Sequence, residues 1–229
     1  MIKAISFDAD DTLWDFEKVM RHALGCALTE LHRLSPAAAE NLTIETMVAI
    51  RQRVGKELRG KVVNLEEVRL GAFKETLRHV EVSDDGLASH LNAVYLKHRY
   101  EDMNLFEDVL PTLNALQWRY GLGLLSNGNS YPERCGLGGR FQFVVFAQDY
   151  GFEKPDSRLF EVAIAQAGCG RDEFLHVGDS LQTDVVGAQR AGVRSVWLNR
   201  ERRHNDTDIQ ADFEIETLTE LADICEQLR

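Results

Sequence analysis

Five short apolar runs punctuate the chain, and each stops at a polar or glycine-containing step. Residues 2–7 are partly β-branched and end at Asp8; 121–125 end at Ser126-Asn127-Gly128; 143–147 lead into a loop at Gly151; 174–177 end at Gly178-Asp179; and 193–198 end at Asn199. Predominantly apolar runs of this length predict strands buried on both faces. From the second run onward, helical spacing fills the intervals, over 107–119, 157–167 and 184–191, and a last helix is predicted over 216–228. The glycine-rich stretch 130–140 leaves room only for a short helix. This alternation predicts an α/β domain, a parallel sheet flanked by helices.

Residues 16–102 break the alternation. Met20, Leu24, Ala27, Leu28 and Leu31 recur at helical spacing, as do Leu65, Val68, Ala72, Phe73, Leu77 and Val80. Ile44, Met47, Ile50, Val54 and Leu58 form a less regular stripe, and Leu87, Leu91, Val94 and Tyr95 a fourth. Asn64 stands as an N-cap with Glu67 three residues on. Four stripes without a strand predict an all-helical insert, packed as a small bundle, between the first two strands. The expected division is therefore residues 1–15 with 103–229 for the α/β domain, and 16–102 for the insert.

Composition changes this picture little. With 229 residues and 44% hydrophobic content, the chain is large enough to bury a core. A formal net charge of −11 argues against nucleic acid or an anionic membrane as a partner, although a pocket can still be locally positive. Cys26, Cys135, Cys169 and Cys225 form no CxxC pair, which speaks against framework disulfides and a zinc knuckle. Aspartates interrupt the first apolar run too early for a signal peptide, and no later run approaches membrane length. The expectation is a soluble, cytoplasmic protein; the oligomeric state is not readable.

The chemistry gathers where the predicted strands end, the edge at which open parallel sheets bind ligands. Asp8 with Asp10 two residues on offers a nucleophile beside a proton donor, since neighbouring carboxyl groups push one pKa upward. A carboxylate cannot approach an anionic phosphate ester unaided. Mg²⁺, which favours one or two carboxylates together with phosphate and water, solves that problem, and Asp179 supplies a further carboxylate. Lys154 is placed to neutralise charge spreading over a transferring phosphoryl group, and Ser126 with the backbone N–H of Asn127 to hold its oxygens.

Together these residues resemble the haloacid dehalogenase superfamily of hydrolases. FDADDTLW at 7–14 is similar to the family's first motif, LLSNG at 124–128 to the second, EKPD at 153–156 to the third, and VGDSLQTDVVGAQRAG at 177–192 to the fourth. The nearest resemblance is to small phosphatases such as bacterial nucleotidases and N-acylneuraminate-9-phosphatase. The resemblance implies a Rossmann-like core and identifies the helical insert with the family's first class of cap domain. It implies Asp8 as nucleophile and Asp10 as general acid and base. Mg²⁺ would be held by the Asp8 carboxylate, the Asp10 backbone carbonyl and Asp179. Asp184 would stand behind the metal or bind it through water, Thr12 would shape the first loop, and Ser126 and Lys154 would grip the phosphoryl group. A small phosphorylated substrate is expected, its identity set by cap residues that match no motif.

Each motif alone has an ordinary reading. Asp8 and Asp10 are also turn residues, Ser126-Asn127-Gly128 a plain turn, Lys154 a solvated lysine, and Asp179 and Asp184 helix caps. Four motifs in order at strand ends favour catalysis. Trp14, Trp118 and Trp197 are expected in the core or an interface. None of the seven histidines has a metal-ligand spacing in the sequence. Arg51, Arg53 and Lys56 read as a solvated face, or as charge aimed at a second anionic group of the substrate, and Asn199 and Arg200 lie near enough to a strand end for a minor substrate role. Three other functions compete: a 2-haloacid dehalogenase, a sugar phosphomutase, and a non-catalytic binding protein on the same fold. A halide leaves without a proton and an alkoxide does not, so Asp10 favours the phosphatase.

Overall fold

The computed structural model describes residues 1–228 and divides into two compact units, Met1–Asp15 with Asn104–Arg229, and Phe16–Met103. The second junction falls one residue later than the change of pattern in the sequence places it.

The first unit is a six-stranded, fully parallel sheet in the order β3-β2-β1-β4-β5-β6. Its strands are β1 (Ala4–Phe7), β2 (Gly121–Ser126), β3 (Phe143–Phe146), β4 (Phe174–Gly178), β5 (Arg194–Leu198) and β6 (Phe213–Ile215). The first five coincide with the apolar runs to within two residues at either end. β6 carries no comparable signal: it is three residues long, half-exposed, with an outward Glu214, and pairs only with β5 along the edge. β1 lies between β2 and β4, with Phe7 in register with both Leu124 and Val177. The chain winds to one side of β1 through β2 and β3, then crosses to the other side at β4. That reversal opens a crevice beyond the carboxyl ends of β1 and β4.

Helices of this unit are numbered after the five of the insert: α6 (Val109–Leu116), α7 (Ser157–Ala167), α8 (Val186–Ala191) and α9 (Leu221–Gln227). In α7, Leu159, Phe160, Ala163 and Ile164 pack with Leu125, Val145 and Phe174 of the sheet. Asp156 caps its start, its carboxylate accepting from the Arg158 N–H at 3.0 Å. The helix predicted over 184–191 is in two parts, a wide π turn over Leu181–Val185 followed by α8. Over 130–140 there is one 3-10 turn, Pro132–Arg134.

The helical unit consists of α1 (Phe16–Leu34), a single turn α2 (Pro36–Ala39), α3 (Ile44–Leu58), α4 (Leu65–His79) and α5 (Asp85–Glu101). Met20, Leu24, Leu31, Met47, Phe73, Leu77, Leu91 and Tyr95 form its core, the faces that the apolar spacing had marked. Side-chain oxygens cap three of these helices: Thr43, Asn64 and Asp84 accept from Thr46, Glu66 and Leu87 N–H groups at 3.1, 2.9 and 2.9 Å, Asn64 as the sequence predicts. His22 of α1 faces His98 of α5, and Glu30 faces His90, so these two helices run antiparallel. Of the basic group on α3, Arg53 pairs with Glu57 and Glu75, Lys56 is exposed, and Arg51 lies over the Phe16 ring at 5.4 Å. No helix among the described residues is long and apolar enough to cross a membrane.

Candidate active site

Asp8 follows the last residue of β1, and its N–H continues the ladder to the Val177 carbonyl at 2.8 Å. That bond sets its side chain at the mouth of the β1–β4 crevice. The next residues fold back tightly. Leu13 N–H donates to the Ala9 carbonyl and Asp11 N–H to the Trp14 carbonyl, both at 2.8 Å, with Asp11 at φ 61°. Aspartate is among the few residues that tolerate this left-handed conformation, which accounts for an acidic fourth position in DADDT.

Lys154 lies at the centre of the site. Its ammonium donates to Asp8 Oδ1 at 2.6 Å, to Asp184 Oδ1 at 2.6 Å and to the Leu125 carbonyl at 2.9 Å. All three of its protons are used, and the side chain is 1% exposed. Burial alone would lower its pKa, but Asp184 and Asp8 outweigh burial and hold it above the usual lysine value. Asn127 fixes the lysine's backbone: its amide donates to the Lys154 carbonyl at 3.0 Å and its oxygen accepts from the Lys154 N–H at 2.7 Å. This side-chain role adds to the backbone role expected from the sequence.

Asp184 also accepts from His176 Nε2 at 3.1 Å and from the Ser180 N–H at 3.0 Å. Burial opposes its ionisation, yet Lys154 and His176 keep its pKa below the usual carboxylate range. Burial pushes the His176 pKa down, against the pull of Asp184, and its Nδ1 lies 2.7 Å from the Ser6 hydroxyl. Gly178 is required here by proximity, because a Cβ on it would fall 2.2 Å from Asp184 Cγ.

Oxygen atoms of Asp8, Asp179 and Asp184 lie within 4.8 Å of one another. Burial raises Asp8 to about 8, against the opposing pull of Lys154 and with a further push from Asp184 and Asp179. Burial, followed by the charges of Asp184 and Asp11, raises Asp179 to about 7. Three carboxylates around one lysine therefore leave a deficit of positive charge. An all-oxygen donor set short of a cation fits a hard divalent ion.

Asp10 faces the loop that follows β2. Its Oδ1 accepts from Trp14 Nε1 at 2.9 Å and from the Ser130 hydroxyl at 3.2 Å. A Cβ at position 128 would come within 2.7 Å of Asp10 Oδ2, so Gly128 makes room for this carboxyl beside β2. Ser126 is buried at the end of β2, its hydroxyl accepting from the Gly128 N–H at 3.0 Å. Thr12 is buried and reaches Asp179 Oδ1 at 3.4 Å.

Four residues of the site escaped the sequence reading: His176, Ser130, Trp14 and Trp197. Trp14 and Trp197 are buried as expected, but their indole N–H groups are also committed, to Asp10 and to the Asp179 carbonyl at 2.9 Å. Trp118 is 84% exposed and so lies outside the core. A signal for His176 was present. β1 and β4 each carry one polar residue within an apolar run, Ser6 and His176, and the register pairs them directly; buried polar groups need such partners. The substrate role considered for Asn199 and Arg200 finds no support. Arg200 makes a two-pronged ion pair with Asp108 at 2.8 and 3.0 Å, binds the Thr12 carbonyl at 2.9 Å, and stacks on Phe106. Asn199 is occupied by the Arg203 carbonyl and Glu214.

The fold and this arrangement define a hydrolase built on a Rossmann-like parallel sheet. The chain belongs to the haloacid dehalogenase-like hydrolase family, which matches residues 2–192. It is 32% identical over 208 residues to the Escherichia coli 5-amino-6-(5-phospho-D-ribitylamino)uracil phosphatase YigB, covering 87% of this chain and 84% of that one. It is 29% identical to the glyceraldehyde 3-phosphate phosphatase of Methanopyrus kandleri, over 100% of this chain and 99% of that enzyme. Among solved structures, it superposes with a TM-score of 0.86 and 31% identity on a 2-haloacid dehalogenase from Pseudomonas syringae, over the whole of both chains.

Proposed function

We propose that the protein is a Mg²⁺-dependent phosphatase that hydrolyses a small phosphorylated metabolite through an aspartyl-phosphate on Asp8, with the helical unit as its cap domain. The observation that carries this reading is the convergence of Asp8, Lys154, Asp184 and Asp179 at the strand-order reversal. The names of the relatives, phosphatases acting on different small phosphate esters, support it. Mg²⁺ would be held by the Asp8 and Asp179 carboxylates and the Asp10 backbone carbonyl, with Asp184 behind them. When bound, it supplies positive charge to the anionic phosphoryl oxygens.

Asp8 attacks phosphorus with a carboxylate oxygen, and the bond from phosphorus to the ester oxygen breaks. Asp10 gives its proton to that departing oxygen, held in place by Trp14 and Ser130. Lys154 keeps Asp8 oriented and stabilises charge on the phosphoryl group, together with Ser126 and the Asn127 N–H. In the second half, Asp10 takes a proton from water, the water oxygen bonds to phosphorus, and the Asp8–phosphorus bond breaks to release phosphate. Asp184 and His176 act through Lys154, holding its charge and position.

The similarity to a 2-haloacid dehalogenase is a specific ground for a second reading. Asp10 favours the phosphatase, since a halide needs no proton donor. Purified protein with Mg²⁺ is expected to release phosphate from p-nitrophenyl phosphate and from members of a phosphorylated-metabolite panel, and no chloride from 2-chloropropionate. Chloride release without phosphate release would replace the phosphatase with the dehalogenase.

A further inference from the structure

The helical unit holds a second group of metal-ligating side chains with a different chemistry. His22 and Cys26 lie one turn apart on α1, and His98 and Asp102 one turn apart at the end of α5. Residues four apart share a helix face, and the antiparallel packing of α1 and α5 turns these two faces toward each other. His22, Cys26 and His98 each present a nitrogen or sulfur atom within 4.8 Å of the others. Cys26 Sγ lies 3.8 Å from His22 Nε2. Asp102 Oδ2 sits 2.9 Å from His22 Nε2 and 2.8 Å from His98 Nδ1. The imidazoles stand nearly perpendicular, at 81°, so they do not stack on one another.

We propose that His22, Cys26, His98 and Asp102 form a binding site for a transition-metal ion of the Zn²⁺ type, which staples α1 to α5. Tetrahedral zinc, with bonds of about 2.0–2.1 Å to nitrogen and about 2.3 Å to sulfur, separates its ligand atoms by roughly 3.3–3.6 Å. The sulfur–nitrogen spacing already nearly meets that. For the same geometry the carboxylate–imidazole contacts must open by roughly half an ångström and Asp102, which lies outside the 4.8 Å group of the other three, must close on Cys26, movements available to side chains on a partly exposed surface. Two imidazoles, a thiolate and a carboxylate suit Zn²⁺, Co²⁺ or Ni²⁺ and are a poor set for Mg²⁺, which requires oxygen. The site is thus chemically distinct from the carboxylate cluster of the α/β unit. On ligation Cys26 loses its thiol proton to solvent and binds as thiolate. The staple joins the first helix of the insert near its start to the last helix at its end, where the chain enters and leaves the helical unit.

The test uses the full chain, stripped with chelator and titrated with Co²⁺ in excess Mg²⁺. One Co²⁺ per chain is expected, with tetrahedral visible bands and a thiolate-to-cobalt charge-transfer band that Zn²⁺ abolishes by displacement. Cys26→Ser removes the charge-transfer band. Asp102→Asn and His98→Gln each weaken Co²⁺ binding, and the loss of an imidazole ligand in His98→Gln lowers the intensity of the tetrahedral bands. Asp179→Asn, in the other unit, leaves the spectrum unchanged. Circular dichroism checks folding, and Cys26→Ala and His22→Gln serve if a first variant fails to fold. The proposal is overturned if the wild type shows no thiolate band, or if the spectrum survives Cys26→Ser and His98→Gln. A hydrogen-bonded His–carboxylate–His cluster that binds no metal would give the first of these results.

Discussion

The two units build their ion pairs differently. In the helical unit most ion pairs are local and exposed: Arg21 with Glu17, Arg33 with Glu30, Arg53 with Glu57. Pairs of this kind hold two long side chains in solvent and contribute little to folding; that unit is stabilised by its apolar interior. In the α/β unit, Lys154 and Asp184 are each 1% exposed, and their partners Asp8 and His176 come from the end of β1 and from β4. Burying ions is unfavourable unless each is matched, so a buried cluster at a strand-end crevice marks where selection has favoured chemistry over stability.

The sharpest way to break this comparison is to remove the nucleophile. Asp8→Asn is expected to drop phosphate release to background while the circular dichroism spectrum stays native; retained turnover would remove Asp8 from the mechanism. Asp10→Asn should lower kcat by roughly 10²–10⁴-fold, the usual contribution of general acid–base catalysis. Lys154→Met leaves Asp184 and Asp8 buried without their cation, and urea unfolding should show a loss of about 3–5 kcal/mol. Leu91→Ala, at a fully buried site in the helical core, should destabilise by a similar amount, about 2–5 kcal/mol. Its cause is a cavity, however, so its effect should not depend on pH or Mg²⁺. Equal pH sensitivity in these two variants would erase the contrast between the units.

A smaller effect follows from the raised carboxyl groups. Between the ordinary carboxylate value of 3.8 and the folded values of about 8 and about 7, Asp8 and Asp179 keep protons that the unfolded chain has released. The folded state then binds more protons, so their contribution to stability falls as pH rises through that window. His176, depressed by burial, acts in the opposite sense. A cation among the carboxylates displaces those protons. The rise in Tm produced by Mg²⁺ should therefore be greater at pH 8 than at pH 5, and an increment independent of pH would count against the carboxylate site. The smallest effect is expected at Arg53→Gln, on the exposed face of α3, which should leave Tm and kcat within error of the wild type.

Much of the fold was legible because it rests on local periodicity. The five apolar runs became β1 to β5, and the helical stripes of residues 16–102 became α1, α3, α4 and α5. β6 was not legible, because three residues at a sheet edge need no apolar run. In the site, Asp8, Asp179, Asp184 and Lys154 were visible as polar residues at strand ends. The second role of Trp14 and the committed side chain of Asn127 were not, since both depend on what lies opposite once the loops have closed.

The chain on its own determined which segments are strand or helix and which acids stand at the strand ends, since hydrophobic spacing and turn chemistry act over a few residues. Only the tertiary structure decided that Ser6 and His176 share a register, that Asp10 turns to Trp14 and Ser130, and that His22 and Cys26 meet His98 and Asp102. Those encounters join residues far apart in sequence, and strand order, register and helix packing, set by the summed burial of the whole core, bring them together.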